Sequence, residues 1–430
     1  MKKFLLFLFF ASFLINLVAQ KKSEAGKTIY EQQVLDLTKN KLVKDAFAII
    51  DQLEPATRKE HIELTQVPAP PFKEEKRAQY FKKMLETAKT DKVWIDSLGN
   101  VLALRKGTKS TRTIVLDAHL DTVFPEGTDV TVKQKGDTLF APGIADDTRG
   151  LIAILTVLKA MEKTNLRTVD DVLFAATLGE EGLGDLRGVK YVVEKSKLKI
   201  DSWIAVDGTE INYVVNGALG SVRYRATIIG PGGHSWGAFG LGNPHSAMAK
   251  SLNYFSDAAA TFTATGIKTS FNVGRTGGGT SINSIPFESW AEIDMRSESP
   301  SQLKKIDSIF KVCMKKGLDE YNRTIKKGSM LSLDLKQIGY RPSGMTKPDQ
   351  AIVQRSLAAA RHFTSSPITL GYVSTNANTS IAHGIPSICI GAGGRSDHEH
   401  ALNEWWLNEK GADGIKFVLL TLLMEAGFEK

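Results

Sequence analysis

The stretch Thr113-Ile114-Val115-Leu116-Asp117-Ala118-His119-Leu120-Asp121 decides how the chain is read. Apolar and β-branched residues run unbroken into an acid, a small residue and a histidine. A short apolar run without alternation fits a strand buried on both faces, as in a parallel sheet. The same pattern returns twice. Residues 171–177 form an apolar strand leading to Glu180-Glu181-Gly182, and 203–206 form one leading to Asp207-Gly208. Between them, residues 151–161 and 187–194 have helical periodicity. Strands alternating with helices predict a mainly parallel α/β sheet, doubly wound, with helices on both faces.

Working outward, residues 28–53 and 72–88 read as helices separated by Pro68, Pro70 and Pro71. Residues 93–95 and 100–104 read as a hairpin turning at Gly99-Asn100. The texture changes after Gly217. Residues 221–229 alternate, with Val222, Tyr224, Ala226 and Ile228 on one face. A glycine-rich loop, a helix at 244–260, strands at 269–273 and 289–296, a helix at 300–321 and a strand at 331–338 follow. That order, β-α-β-β-α-β, is a ferredoxin-like α+β sandwich. From Pro348 the α/β texture returns, with a helix to 362, a strand at 387–390 and an amphipathic helix from 408. The expected organisation is a catalytic domain of 20–217 plus 339–430, interrupted by an inserted domain of 218–338.

The first 19 residues stand apart. Lys2 and Lys3 precede apolar runs at 4–10 and 13–18, and Ala19 closes the segment. This is the form of an export signal peptide, too short for a stable span. Export to the periplasm or the cell exterior is expected, with no stable membrane span after cleavage. Hydrophobic residues are 42% of the 430 and charged residues 24%, ordinary for a globular chain. The net charge of +8 is spread thinly, without a dense basic run interleaved with aromatics, so nucleic-acid binding is not expected. Two cysteines, Cys313 and Cys389, sit in apolar contexts and read as buried thiols. A metal site in this chain must use His, Asp and Glu.

Those residue types gather at strand ends. His119 and Asp121 follow one strand, Glu180 and Glu181 another, Asp207 a third; Asp146-Asp147 precedes the 151–161 helix, and His400 lies in Gly393-Gly394-Arg395-Ser396-Asp397-His398-Glu399-His400. Ligand sites in open α/β sheets gather at carboxyl ends of strands. Carboxylates converging there repel one another unless a cation neutralises them. Imidazole and carboxylate without thiolate suit Zn2+, and also Co2+ or Mn2+. Five ligands with one shared Asp suit two ions. Each cluster alone has a plainer reading: Asp-Asp before a helix is also an N-cap pair, and Glu-Glu after a strand is also surface. The joint order and placement favour the metal site.

Taken together, Asp117-Ala118-His119-Leu120-Asp121-Thr122-Val123, Gly143-Ile144-Ala145-Asp146-Asp147 with Gly150, Glu180-Glu181-Gly182, Val206-Asp207-Gly208, Gly232-Gly233-His234-Ser235 and His400-Ala401-Leu402-Asn403-Glu404 carry a resemblance. The chain resembles the metallopeptidase and amidohydrolase family of peptidase T, carboxypeptidase G, aminoacylase and succinyl-diaminopimelate desuccinylase, and is most similar to the peptidase T-like branch. The resemblance implies two zinc-type ions. His119 and Asp207 would hold one, Glu181 and His400 the other, and Asp146 would bridge them. It implies that Asp121 accepts a hydrogen bond from His119 and that Glu180 is the general base acting on a metal-bridging water. It implies a cis Asp146–Asp147 peptide, and a His234 that polarises the scissile carbonyl from the partner subunit of a homodimer formed through the inserted lid domain. Arg341 would hold a substrate carboxylate and Asn283 would contact substrate. His398 also lies near the final ligand position, but the spacing to Glu404 favours His400. Arg296 and His245 read as structural.

The function expected is hydrolysis of peptide bonds in di- or tripeptides or at an N-terminal residue. N-acyl-amino-acid deacylation and carboxypeptidase action are the alternatives within the family. A non-catalytic metal- or peptide-binding module is the alternative from another class, and the presence of Glu180 argues against it.

Overall fold

The computed structural model describes residues 29–429; the expected signal segment lies outside the described residues. The chain forms two compact units. One comprises the described residues up to Asn216, Thr346–Gly371 and the chain from Thr375 onward; the other comprises Gly217–Met345 and Tyr372–Ser374. The second unit runs past the expected limit of 338. Its strand Ser332–Arg341 continues, and Gly344–Met345 then pairs with Ala218 and Gly217.

In the first unit the sheet has the order Lys92–Ile95, Val101–Arg105, Asp171–Thr177, Thr113–His119, Ser202–Val206, Ser387–Ile390, Tyr213–Ala218. Thr113–His119 lies parallel between Asp171–Thr177 and Ser202–Val206, with Leu116 opposite Phe174 and Ile204. Ser387–Ile390 adds a fourth parallel strand. The Lys92–Arg105 hairpin and Tyr213–Ala218 join antiparallel, so the sheet is mixed. Ile114, Leu116, Phe174 and Ile204 join the main core, and the alternate set Val115, Leu173, Trp203 and Cys389 is equally buried. Alternate strand residues point to opposite faces, so both faces are covered. The four parallel strands bring their carboxyl ends to one edge.

Two helices depart from expectation. Lys41–Thr65 does not stop near residue 53 but continues through Pro55. An interior proline costs a helix about 3 kcal/mol. Buried Val43, Ala46 and Ile50 before it and Thr57, His61 and Leu64 after it keep one helical face. Full burial of each large apolar side chain gives ~1.5–3 kcal/mol, so packing outweighs the break. The last helix, Gly411–Ala426, is buried along nearly its whole length rather than amphipathic, because the Lys41–Thr65, Thr148–Lys163 and Ala351–Phe363 helices all pack on it. No helix among the described residues is long and apolar enough to cross a membrane.

The second unit is an antiparallel sheet ordered Thr269–Gly278, Glu288–Ser297, Gly220–Ile229, Ser332–Arg341. Val222, Tyr224, Ala226 and Ile228 share a core with Phe255 and Phe310 of the helices Pro244–Thr263 and Pro300–Asn322. This is the expected ferredoxin-like order. Both cysteines are free and buried.

Candidate metal centre

His119 ends its strand, and Asp121 follows two residues on. The Asp121 carboxylate accepts the backbone N–H groups of Glu180 and Glu181, each at 2.9 Å. This fastens the loop after Asp171–Thr177 to the loop after Thr113–His119. The hydrogen bond expected from the His119 ring to Asp121 is made to its main-chain oxygen. Nδ1 lies 3.0 Å from the Asp121 main-chain oxygen and 3.6 Å from Oδ1. Two buried N–H groups need an acceptor, so the carboxylate turns to them and the main-chain oxygen orients the ring. With Nδ1–H donating there, Nε2 is left for a ligand role.

The Asp146–Asp147 peptide is cis. Its two carboxylates have separate tasks. Asp147 caps the Thr148–Lys163 helix, Oδ1 accepting from the Gly150 N–H at 3.1 Å, while Oδ2 accepts from the His119 N–H at 2.9 Å. Asp146 stands between two imidazoles: Oδ1 is 2.9 Å from His119 Nε2, and Oδ2 is 3.0 Å from His400 Nε2. His400 Nε2 also lies 3.0 Å from Glu181 Oε1. Ligand atoms of His119, Asp146 and Asp207 fall within 4.8 Å of one another, as do those of Asp146, Glu181 and His400, and those of His119, Glu180 and Glu181. The first two triads share Asp146. His398 is exposed and outside these groups; its N–H donates to Asp397.

Electrostatics bear out the crowding of charge. Burial, then the charge of Asp146, pushes Asp207 up to about 7. Burial likewise raises Glu181. Burial works to raise Asp146 too, but hydrogen bonds from His119 and His400 hold it below the usual range. Hydrogen bonds to Asp146 and Glu181 push His400 up to about 11. Burial opposes charge on His119, yet Asp121 and Asp146 hold it well above its ordinary value. A group of carboxylates that draws protons onto both imidazoles is one that favours added positive charge. The donor types, the two triads and the shared carboxylate fit a pair of divalent cations.

A supporting layer escaped the sequence reading. The Glu404 carboxylate accepts three backbone N–H groups of the 143–146 loop. Arg149, buried in the adjoining helix, donates to the carbonyls of Ala392, Gly393 and Gly411 and stacks 4.7 Å from the Trp406 ring. His61 Nε2 donates to the Ile144 carbonyl at 2.6 Å. The small sheet Arg395–Asp397, Trp405–Leu407, Thr138–Phe140, Lys133–Lys135 presents Glu404 and Trp406. Glu404 stood in a recognised motif, but its role required the fold.

The remaining expected residues lie in the second unit. His234 sits in the strand pair of Gly233–His234 with Ser284–Ile285, and its Nδ1 accepts the N–H groups of Trp236 and Gly237, each at 3.3 Å. Asn283 Oδ1 accepts from Ser281 Oγ, and its carbonyl from the Ser235 N–H. Arg341 is buried, with Nη1 donating to Ser374 Oγ at 2.9 Å. Arg296 pairs with Asp294, and His245 Nδ1 meets Ser289 Oγ at 2.8 Å, in keeping with structural roles.

A mixed α/β sheet with carboxylates and imidazoles converging at its carboxyl edge forms a candidate metal site, and the family match makes it that of a peptidase. The chain belongs to peptidase family M20/M25/M40, whose sequence pattern matches residues 115–424. It is 26% identical over 310 residues to an uncharacterized Bacillus subtilis protein, YqjE, covering 70% of this chain and 78% of that one. Its fold is similar to that of a Staphylococcus aureus tripeptidase, with a TM-score of 0.67 and 21% identity over 87% of this chain and 98% of that chain. It is also similar to the YXEP protein of Bacillus subtilis, described as a dinuclear metal-binding peptidase of the M20 family, with a TM-score of 0.62 and 15% identity over 87% and 99%.

Proposed function

We propose that this chain is an exported two-metal peptidase cleaving the peptide bonds of short peptides, acting as a homodimer through its inserted unit. The observation that carries the metal assignment is the Asp146 carboxylate, which turns one oxygen to His119 Nε2 at 2.9 Å and the other to His400 Nε2 at 3.0 Å. His119 and Asp207 would hold one ion, Glu181 and His400 the other, and Asp146 would be shared between them; zinc would suit the set, as would cobalt and manganese. When bound, such ions acidify a water and polarise a carbonyl. Glu180 takes the proton of the attacking water and returns it to the leaving amine. Asp121 holds the main chain of Glu180 while this happens. His234 is the donor to the carbonyl oxygen: with Nδ1 accepting two N–H groups, Nε2 carries the proton. Arg341 and Asn283 are assigned to substrate, and the export reading rests on Lys2, Lys3 and the apolar residues that follow. The tripeptidase likeness supports short peptides over acyl-amino acids.

The test is Glu180→Gln in the mature chain loaded with zinc. Turnover on a dipeptide and tripeptide panel should fall by roughly 10²–10⁴-fold while metal content, read by plasma mass spectrometry, stays at the wild-type level. Undiminished turnover in a metal-saturated sample would overturn the assignment of Glu180. A wild-type preference for N-acyl amino acids would move the substrate class to the deacylases.

A further inference from the structure

In the first unit a cluster of side chains outside the expected metal ligands bears on the residue before Glu180. That residue, Gly179, has φ +69°, and a Cβ built on it would lie 2.0 Å from Arg187 Nη1 and 2.6 Å from Cζ, so the guanidinium packs directly on its Cα. A Cβ on Gly184 would lie 2.7 Å from the Cα and the carbonyl oxygen of Gly179, so a second segment closes on the same residue. Arg187 is itself held. Its Nη2 donates to Oε1 of the buried Glu74 at 2.5 Å, and its guanidinium stacks 4.5 Å from the centre of the Phe72 ring. The same Glu74 oxygen accepts the Phe72 N–H at 3.1 Å.

Two features of this cluster work against stability. Phe72 has φ +65°, a left-handed conformation that is costly for a bulky residue, and it stays 60% exposed. Arg187 Nη1 is buried and has no hydrogen-bond partner among the described residues. Buried donors are ordinarily met, and strained backbone gathers where a protein holds a reacting group in place. The group next in the chain is Glu180, whose N–H is already fastened to Asp121 Oδ1 at 2.9 Å. We propose that Arg187 is a positioning residue for Glu180: braced by Glu74 and Phe72, it fixes the Gly179 main chain and with it the aim of the Glu180 side chain. A flat guanidinium can lie against a ring and a Cα while pairing with a carboxylate, which an ammonium cannot do. This rests on the assignment of Glu180 as general base.

The test is a double-mutant cycle on the dipeptide and tripeptide panel, with kcat, KM and zinc content measured for zinc-loaded wild type, Arg187→Ala, Glu180→Gln and the double variant. A small misplacement of a reacting group costs on the order of 10²-fold. In Arg187→Ala kcat should therefore fall by roughly 10–100-fold, with KM and zinc content at wild-type levels. Residues that act as one unit are not additive, so the same substitution should cost less than about 2-fold in the Glu180→Gln background. Glu74→Gln keeps an acceptor for the Phe72 N–H but loosens Arg187; it should show a smaller fall with the same dependence on Glu180, and it covers the case of an Arg187→Ala chain that does not fold. An unmoved kcat in Arg187→Ala overturns this inference alone. So do equal fold losses with and without the Glu180 carboxylate in both Arg187→Ala and Glu74→Gln, or zinc content that falls in step with kcat in both. Undiminished turnover in Glu180→Gln removes the general-base reading itself, and this inference with it.

Discussion

Glu404 Oε1 accepts the backbone N–H of Asp146 at 3.1 Å, across 258 residues of sequence. The same oxygen accepts the Ala145 N–H at 2.8 Å, and Oε2 accepts the Gly143 N–H at 2.8 Å. One buried carboxylate therefore satisfies three donors of one loop, Gly143, Ala145 and Asp146, that no strand or helix serves. Asp146 can face two imidazoles because its main chain is held from behind. Arg149 and Trp406 hold the other side of the centre, fixing the Ala392-Gly393 carbonyls at the start of the segment that ends in His400.

Removing that carboxylate should therefore cost both stability and metal binding. In Glu404→Ala three N–H groups lose their acceptor, and leaving a buried donor unmet costs ~1–3 kcal/mol. Partial relaxation brings the expected loss to about 2–4 kcal/mol, read by denaturant unfolding of metal-free protein. Glu404→Gln, which keeps one acceptor oxygen, should recover part of it. Zinc affinity, measured by chelator competition, should fall by roughly 10–100-fold. An Ala variant as stable and as tight as wild type would show that the loop needs no such support.

What the sequence disclosed follows a physical line. Asp171–Thr177, Arg187–Glu194 and Ser387–Ile390 were legible because each is a self-contained run with one periodicity. The residues expected as ligands stood out because acids and histidines at the ends of apolar strands need a reason, and their side chains converge in two groups that share Asp146. Lys133–Lys135 and Arg395–Asp397 were not, since three residues display no period and their sheet joins segments more than two hundred residues apart. The helix through Pro55 was hidden because a local rule was outvoted by packing on Ile50 and Leu64. Asp121 was named as the acceptor for His119, but which of its atoms accepts was not legible, because the competing donors of Glu180 and Glu181 come from a loop whose approach only the folded chain reveals.

His61 makes stability depend on pH in a stated direction. Burial, then the charge of Arg149, lowers its pKa from 6.5 to about 3, so the ring is neutral when folded. In the unfolded chain it gains a proton below its ordinary value. Its contribution is thus full above pH ~6.5 and is lost as pH falls toward ~3. At pH 5 the loss is about 2 kcal/mol. His61→Gln keeps an N–H donor for Ile144 but cannot titrate. The difference in unfolding free energy between pH 7.5 and pH 5 should therefore be about 2 kcal/mol larger for wild type. Equal pH dependence in the two proteins would refute the neutral buried ring.

Gly150 inverts a familiar rule. Replacing glycine by alanine inside a helix ordinarily stabilises by up to ~1 kcal/mol. Here a Cβ would lie 2.2 Å from Asp147 Oδ1 and 2.3 Å from the Val206 carbonyl oxygen. Both contacts are fixed, one in the helix cap and the other beside Asp207. Gly150→Ala should destabilise by about 1–3 kcal/mol in denaturant unfolding and weaken zinc binding. A stabilised variant would mean that the cap and the strand end yield more easily than their hydrogen bonds imply.

The sharing of Asp146 is best tested by counting ions rather than by rates. Every change in the cluster should reduce turnover, so activity cannot tell a bridging carboxylate from a ligand to one ion. Stoichiometry can. Asp207→Ala removes a ligand from one triad and Glu181→Ala from the other, whereas Asp146→Ala removes one from both. After dialysis against micromolar zinc, wild type should hold about two ions per chain, Asp207→Ala and Glu181→Ala about one each, and Asp146→Ala close to none. Stability should follow the same order, since zinc at ~1,000 times its dissociation constant adds about 4 kcal/mol per site. If Asp146→Ala retained as much zinc as either single-triad variant, its two oxygens would not be serving two ions, and the pairing of His119 with Asp207 and of His400 with Glu181 would have to be redrawn.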